Sequence, residues 1–293
     1  MKSPSPARAA SLICVLSAVL FAILYIPKSA YLPRASYGQL LHEETSAFSR
    51  IRVRGTESKR HLLFVADSGT EQLQSTIDLN EPGELQVAYT KTLFASLLFH
   101  RPQNRVLLIG LGGGGMVRFV DQNLPDTVIE AVEIDPAVVR LAAEYFETRE
   151  NDQVVIHTED AFVFLQQEHQ PFDAIYLDAF LRPSVDKETD GKTARLKTVE
   201  FLETMRDQLT EQGVLACNLI SYRSTTPGDL ESLREVFPTV EVFGVPGTGN
   251  LAVIASRKEI ERTPEEWLQV AKSLETELAI GLPFSDFVRE MQD

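Results

Sequence analysis

The chain has 293 residues, 44% hydrophobic and 24% charged, a balance that can bury a sizeable core. Forty-two acidic against 28 basic side chains leave a formal net charge of −14, which argues against a broad phosphate-binding surface and so against nucleic acid as a partner. Two cysteines, Cys14 and Cys217, make no disulfide framework, and the five histidines show no metal-ligand spacing, so no metal is expected. The acidic excess suits a cationic substrate, and it equally suits plain solubility.

Residues 9–26 (AASLICVLSAVLFAILYI) are uncharged and mostly apolar, preceded by Lys2 and Arg8 and followed by Lys28. As a helix rising about 1.5 Å per residue, this segment nearly crosses a bilayer core. The expectation is a membrane-anchored, single-pass protein; export after signal cleavage is the alternative. The best cleavage position follows Ala30, and it puts Lys28 where a small residue is wanted. Basic residues on both flanks leave open which side the rest of the chain faces.

Residues 27–45 are polar and turn-rich and read as a linker. Alternation over 49–54 and 61–65 around Gly55-Thr56-Glu57 predicts a β-hairpin, with a third short strand near 74–77. The apolar spacing over 84–99 predicts a helix that ends before Pro102. A βα alternation follows. Strands are predicted at 105–109, 127–132, 154–157, 172–177 and 213–219. Helices are predicted from the glycine run to about Asn123, from Pro136 to Phe146, and over 161–167, 199–209 and 227–237. The last two strands, 240–245 and 251–255, are joined by five residues, too few for a parallel crossover, so they should be antiparallel. An amphipathic helix over 263–278 closes the chain.

The fold class is therefore α/β, a Rossmann-like sheet with a reversed last strand, preceded by a small β-hairpin domain and an N-terminal hydrophobic helix. The expected divisions are 1–30 for the anchor or signal segment and 31–47 for the linker. Residues 48–80 form the hairpin domain, 81–258 the Rossmann-like domain and 259–293 a helical extension.

The chemistry concentrates where strands end. Ile109-Gly110-Leu111-Gly112-Gly113-Gly114-Gly115 lies directly between a strand and a helix, where glycines let a backbone approach a ligand at the helix N-terminus. Gly110, Gly112, Gly113 and Gly114 are the candidate cofactor contacts, since four consecutive glycines exceed what packing alone asks for. Glu133 ends the next strand, 23 positions after Gly110, where a carboxylate accepts hydrogen bonds from ribose hydroxyls. Asp135 precedes Pro136 and reads as a helix N-cap. Asp160 is placed to accept from an adenine amino group, with Ala161 packing on the ring; helix capping is the plainer role. Asp178 ends the fourth strand of the alternation and can hold an ammonium or take its proton.

These pieces, in this order, resemble the spermidine synthase-like family over residues 48–256. The resemblance includes a hairpin with Asp67-Ser68-Gly69 and Gln74 that looks like the family's substrate lid. It continues through VLLIGLGGGG, AVEIDP, Glu159-Asp160-Ala161 and FDAIYLDAF. It implies S-adenosylmethionine or its decarboxylated form as cofactor, Gln74 and Tyr89 as substrate-facing residues, and a possible homodimer. The family's aminopropyltransferases carry an aspartate where Gly113 stands, and a second carboxylate after the one matched by Asp178. They also carry Tyr-His-Glu where this chain has at best Tyr89-Thr90-Lys91. The form found here is similar instead to the family's methyltransferase-like branch.

Three functions stay open from sequence: methyl transfer to an amine, on a small molecule or a protein; aminopropyl transfer to a polyamine; and a catalytically silent, membrane-tethered binding module. In the first two, Asp178 is the catalytic carboxylate.

Overall fold

A computed structural model describes residues 37–179 and 198–292. Residues 1–37 and 38–293 separate into two units, and the described helices and strands all belong to the second. Among the described residues no helix is long and apolar enough to cross a membrane. This corrects the expectation of a membrane-anchored, single-pass protein; the hydrophobic segment on which it rested, 9–26, lies outside the described residues.

The unit begins with a four-stranded antiparallel sheet: β1 (Gln39–Thr45), β2 (Arg50–Gly55), β3 (Lys59–Val65) and β4 (Glu71–Asp78), paired in that order. The predicted hairpin is β2–β3. Residues 39–45, expected to be linker, instead form β1, because its residues close a ladder on β2 from Gln39 to Thr45. Ile51 and Val53 alternate inward and, with Leu62 and Ile77, pack on Val138, Leu141 and Phe146. Full burial of aliphatic side chains of this size contributes roughly 1.5–3 kcal/mol each. In the β3–β4 ladder Leu62 opposes Ser75 and Leu63 opposes Leu73, so Gln74 is the extra residue of a β-bulge.

Helix α1 covers only Ala88–Leu93 and tightens into a 3-10 turn over Phe94–Leu98. The predicted helix over 84–99 is thus shorter, since Val87 is still extended (φ −105°, ψ 127°) and offers no capping side chain.

The main sheet has eight strands among the described residues. Its parallel part is β5 (Arg105–Ile109), β6 (Val128–Glu133), β7 (Val154–Thr158), β8 (Phe172–Leu177) and β9 (Leu209–Ile220). The intervening helices are α2 (Gly115–Asn123), α3 (Pro136–Tyr145), α4 (Ala161–Phe164) and α5 (Val199–Asp207). Beyond β9 come α6 (Thr226–Val236), β10 (Thr239–Gly244) and β11 (Asn250–Ser256). The β10–β11 pair is antiparallel as predicted, and β11 inserts between β10 and β9, running opposite to β9. Helix α7 (Pro264–Leu278) starts with a capping box in which Thr263 and Glu266 each bond the other's backbone N–H. A further helix, α8 (Phe284–Arg289), and a two-residue strand, β12 (Met291–Gln292), pairing with β10, were not predicted.

The strand order is β12-β10-β11-β9-β8-β5-β6-β7. From β5 the chain moves outward through β6 and β7, then returns to place β8 on the other side of β5. That reversal opens a crevice at the carboxyl ends of β5 and β8, the place where open α/β sheets bind ligands.

Candidate active site

The crevice is a cavity open at its mouth and roofed by the small sheet and its first turn through Phe48, Phe64, Gln74, Ser75 and Thr76. Its floor carries Gly110, Glu133, Asp160, Ala161 and Asp178, and Tyr89 lines it from α1. Most of the expected site residues, drawn from six separate segments, therefore meet in one space. Glu133, Asp135, Glu159, Asp160 and Asp178 give the wall five carboxylates, while no Lys, Arg or His among the described residues lines it.

Asp178 sits at the strand reversal, its backbone N–H donating to Ile109. Its accessible surface faces the cavity it lines. Burial pushes its carboxyl up to about 7, while hydrogen bonds from Tyr89 and Asn218 pull the other way. The Tyr89 hydroxyl donates to Oδ2 at 3.0 Å and Asn218 Nδ2 donates to Oδ1 at 3.5 Å. The phenol of Tyr89 is raised well above its ordinary range by burial and by the neighbouring Asp178, so it remains a donor.

Glu133 accepts from the backbone N–H of Leu111 at 3.0 Å and of Asp135 at 2.9 Å, linking the glycine turn to the start of α3. Burial raises its pKa against those backbone bonds. A carboxylate has about four acceptor positions, so the two backbone bonds leave capacity for a ligand. Asp135 is the N-cap of α3, accepting from Ala137 N–H, and it also receives the Ser46 hydroxyl from the small sheet. Asp160 caps α4 by accepting from Phe162 N–H at 2.9 Å while lining the cavity; one side chain is placed for both roles.

The glycine turn departs in part from its sequence reading. Gly110, Gly112 and Gly115 form cavity wall, but Gly113 and Gly114 do not. A Cβ on Gly113 would lie 2.6 Å from the Phe146 ring, and one on Gly114 2.3 Å from Thr148. Thr148 also donates to the Gly113 carbonyl at 2.9 Å. Packing against the segment after α3 therefore explains two glycines expected to contact the cofactor. Gly110 (φ +95°) has a packing reason too: a Cβ there would lie 2.6 Å from the Asp178 carbonyl oxygen.

Gln74 reaches the cavity through its bulge. Sequence reasoning missed Ser75 and Thr76 beside it, and it missed Asn218, which contacts Asp178, and Asn250, which contacts Asn218. The available signal for Asn218 was an amide interrupting the apolar run Val214-Leu215-Ala216-Cys217-Asn218-Leu219-Ile220.

Residues 86–239 match the family model described as the spermine/spermidine synthase domain. The chain belongs to this family. It is 32% identical over 229 residues to a polyamine aminopropyltransferase of Chromobacterium violaceum, covering 76% of this chain and 84% of that one. It is also 29% identical over 181 residues to the eEF1A lysine and N-terminal methyltransferase of Bos taurus, covering 59% of this chain and 26% of that one. Among solved structures, human methyltransferase-like protein 13 in complex with SAH superposes with a TM-score of 0.60 at 26% identity, covering 66% of this chain and 93% of that one. The homologues are transferases, and both aminopropyl and methyl transfer are represented among them.

Proposed function

We propose that this chain is an S-adenosylmethionine-dependent methyltransferase acting on an amine, with Asp178 as the carboxylate that receives the amine's proton. Relatives named as methyltransferases, including one solved with SAH, support the cofactor class. The residues present suit it. Glu133 has acceptor capacity for ribose hydroxyls, Asp160 for an exocyclic amine, and Ile134 and Phe162 offer apolar wall for a purine. The bound sulfonium supplies an activated methyl carbon. The protein's task is to align a neutral amine with it and exclude competing water.

Asp178 is suited to that task. A carboxyl near 7 matches a proton acceptor at neutral pH better than an ordinary aspartate does. Tyr89 and Asn218 hold its two oxygens in a fixed plane, so the amine meets a base of set direction.

The observation that carries methyl over aminopropyl transfer is the filled space behind Gly113. The resemblance places an aspartate there in aminopropyltransferases. In this chain the Phe146 ring occupies the direction a side chain would take, leaving no carboxylate at that point for the amine of the decarboxylated cofactor. Calorimetric titration with both cofactor forms tests the reading. Tighter binding of the intact form, with methyl transfer to an amine, is expected; tighter binding of the decarboxylated form would overturn it.

One observation favours the second reading, aminopropyl transfer to a diamine. Five carboxylates and no cation line the cavity among the described residues. An intact cofactor's carboxylate must then find backbone N–H groups or the Gln74, Ser75 and Thr76 side chains as partners.

A further inference from the structure

Strand β11 runs against its neighbour β9, so its first residue, not its last, stands at the ligand end of the sheet. That residue is Asn250. Asn218 opposes Ala252 across the β9–β11 ladder, which makes Asn250 its diagonal neighbour on the same face, within reach of a side-chain bond. Nδ2 of Asn250 donates to Oδ1 of Asn218 at 2.9 Å, and Nδ2 of Asn218 donates to Oδ1 of Asp178 at 3.5 Å. Asn218 is only 3% exposed.

A primary amide has one acceptor end and one donor end. With its oxygen engaged by Asn250, the Asn218 amide can offer Asp178 only its nitrogen. Turned over, it would set an oxygen against a carboxylate, an unpaired and repulsive contact in a buried place. The direction of the Asn218 amide is thus settled one residue further away, on a different strand.

We infer that Asn218 and Asn250 are positioning residues for Asp178: Asn250 fixes the Asn218 amide, and Asn218 holds one carboxylate oxygen. Asp178 Oδ2, with Tyr89, is then left to face the acceptor. The catalytic meaning of this arrangement rests on the function proposed above; the hydrogen-bond chain itself does not. The titratable group touching Asp178 is Tyr89, and Glu133, Asp135, Glu159 and Asp160 share the cavity wall.

The test follows the Asp178 carboxyl directly, by carbon-detected NMR titration of the full chain, with the signal identified by its loss in Asp178→Asn. Asn218→Ala removes a bond to the charged form and should move the titration upward by about one pH unit. Asn250→Ala frees the amide and should move it upward by less. If Asn250 acts through Asn218, the double variant shifts no further than Asn218→Ala alone. An unmoved titration in Asn218→Ala, or additive shifts in the double variant, would overturn the inference. Should Asn218→Ala fail to fold, Asn250→Ala decides: an upward shift supports the chain of bonds and no shift overturns it. A wild-type protein that methylates none of the amines offered would remove the proposed function while leaving the titration result standing.

Discussion

The hydroxyl of Tyr89 and the carboxylate of Asp178 form a 3.0 Å hydrogen bond between helix α1 and the end of β8. It ties the segment under the small sheet to the strand reversal of the main one, and it stabilises Asp178 in its charged form. Tyr89→Phe deletes that bond with little change in shape. The expected result is a drop in kcat of about tenfold, with the acid limb of the pH–rate profile moved to higher pH, read from rates measured between pH 5 and 9.

Asp178→Asn should abolish most transfer, lowering kcat by about 100-fold or more, while the cofactor dissociation constant changes only a few-fold. A variant that keeps its rate would remove Asp178 from the mechanism.

The same substitution has an opposite effect on stability. Unfolded, Asp178 ionises near its ordinary 3.8; folded, near 7. Between these values the folded chain binds more protons than the unfolded one, so this carboxyl's contribution declines as pH rises through the window. Asp178→Asn should therefore be more stable than wild type at pH 8, by on the order of 2–4 kcal/mol, with the gap closing toward pH 4. Denaturant unfolding of both proteins at several pH values checks the sign.

Glu133→Gln keeps the shape but surrenders the charge and one acceptor oxygen. Loss of a charge-assisted hydrogen bond, about 1.5–3 kcal/mol, should raise the cofactor dissociation constant about 10- to 100-fold. Calorimetry with the intact cofactor is the measurement. An unchanged affinity would return Glu133 to a purely local role, bridging Leu111 and Asp135.

Gly113→Ala drives a methyl group into the Phe146 ring and should cost about 1–3 kcal/mol. Combining it with Phe146→Leu should recover part of that loss, so the two substitutions are not additive. Thermal unfolding of the single and double variants reads this out.

Apart from β12, the strands of the main sheet and the helices between them were legible because their apolar periodicity matches their burial, and the short link between the last two predicted strands forced the antiparallel pair. Strand β1 was not legible. Its residues are largely exposed and polar, and only the ladder with β2 makes them a strand. In the site, the placing of Glu133 and Asp178 at the crevice was legible because their strand-end position carries meaning by itself. The packing at Gly113 and Gly114 was not legible, because sequence shows that a side chain is missing but not what fills its place, and here Phe146 and Thr148 do. Asn250 was out of reach because its role depends on which residue of β9 it stands beside.

The bulge at Gln74 has a consequence for how this cavity changes over evolution. Alternation in a regular strand locks each side chain to one face, so a new residue at the cavity normally requires a substitution. One unpaired position in β4 lets the chain gain or lose a residue there while the ladder on β3 survives, and because each flanking residue keeps its β3 partner it also keeps its face, so only the lining at the bulge changes. A single-codon deletion near Gln74 is therefore a route to a differently lined roof over an unaltered floor. Acceptor preference can drift along that route while the residues around Glu133 stay as they are.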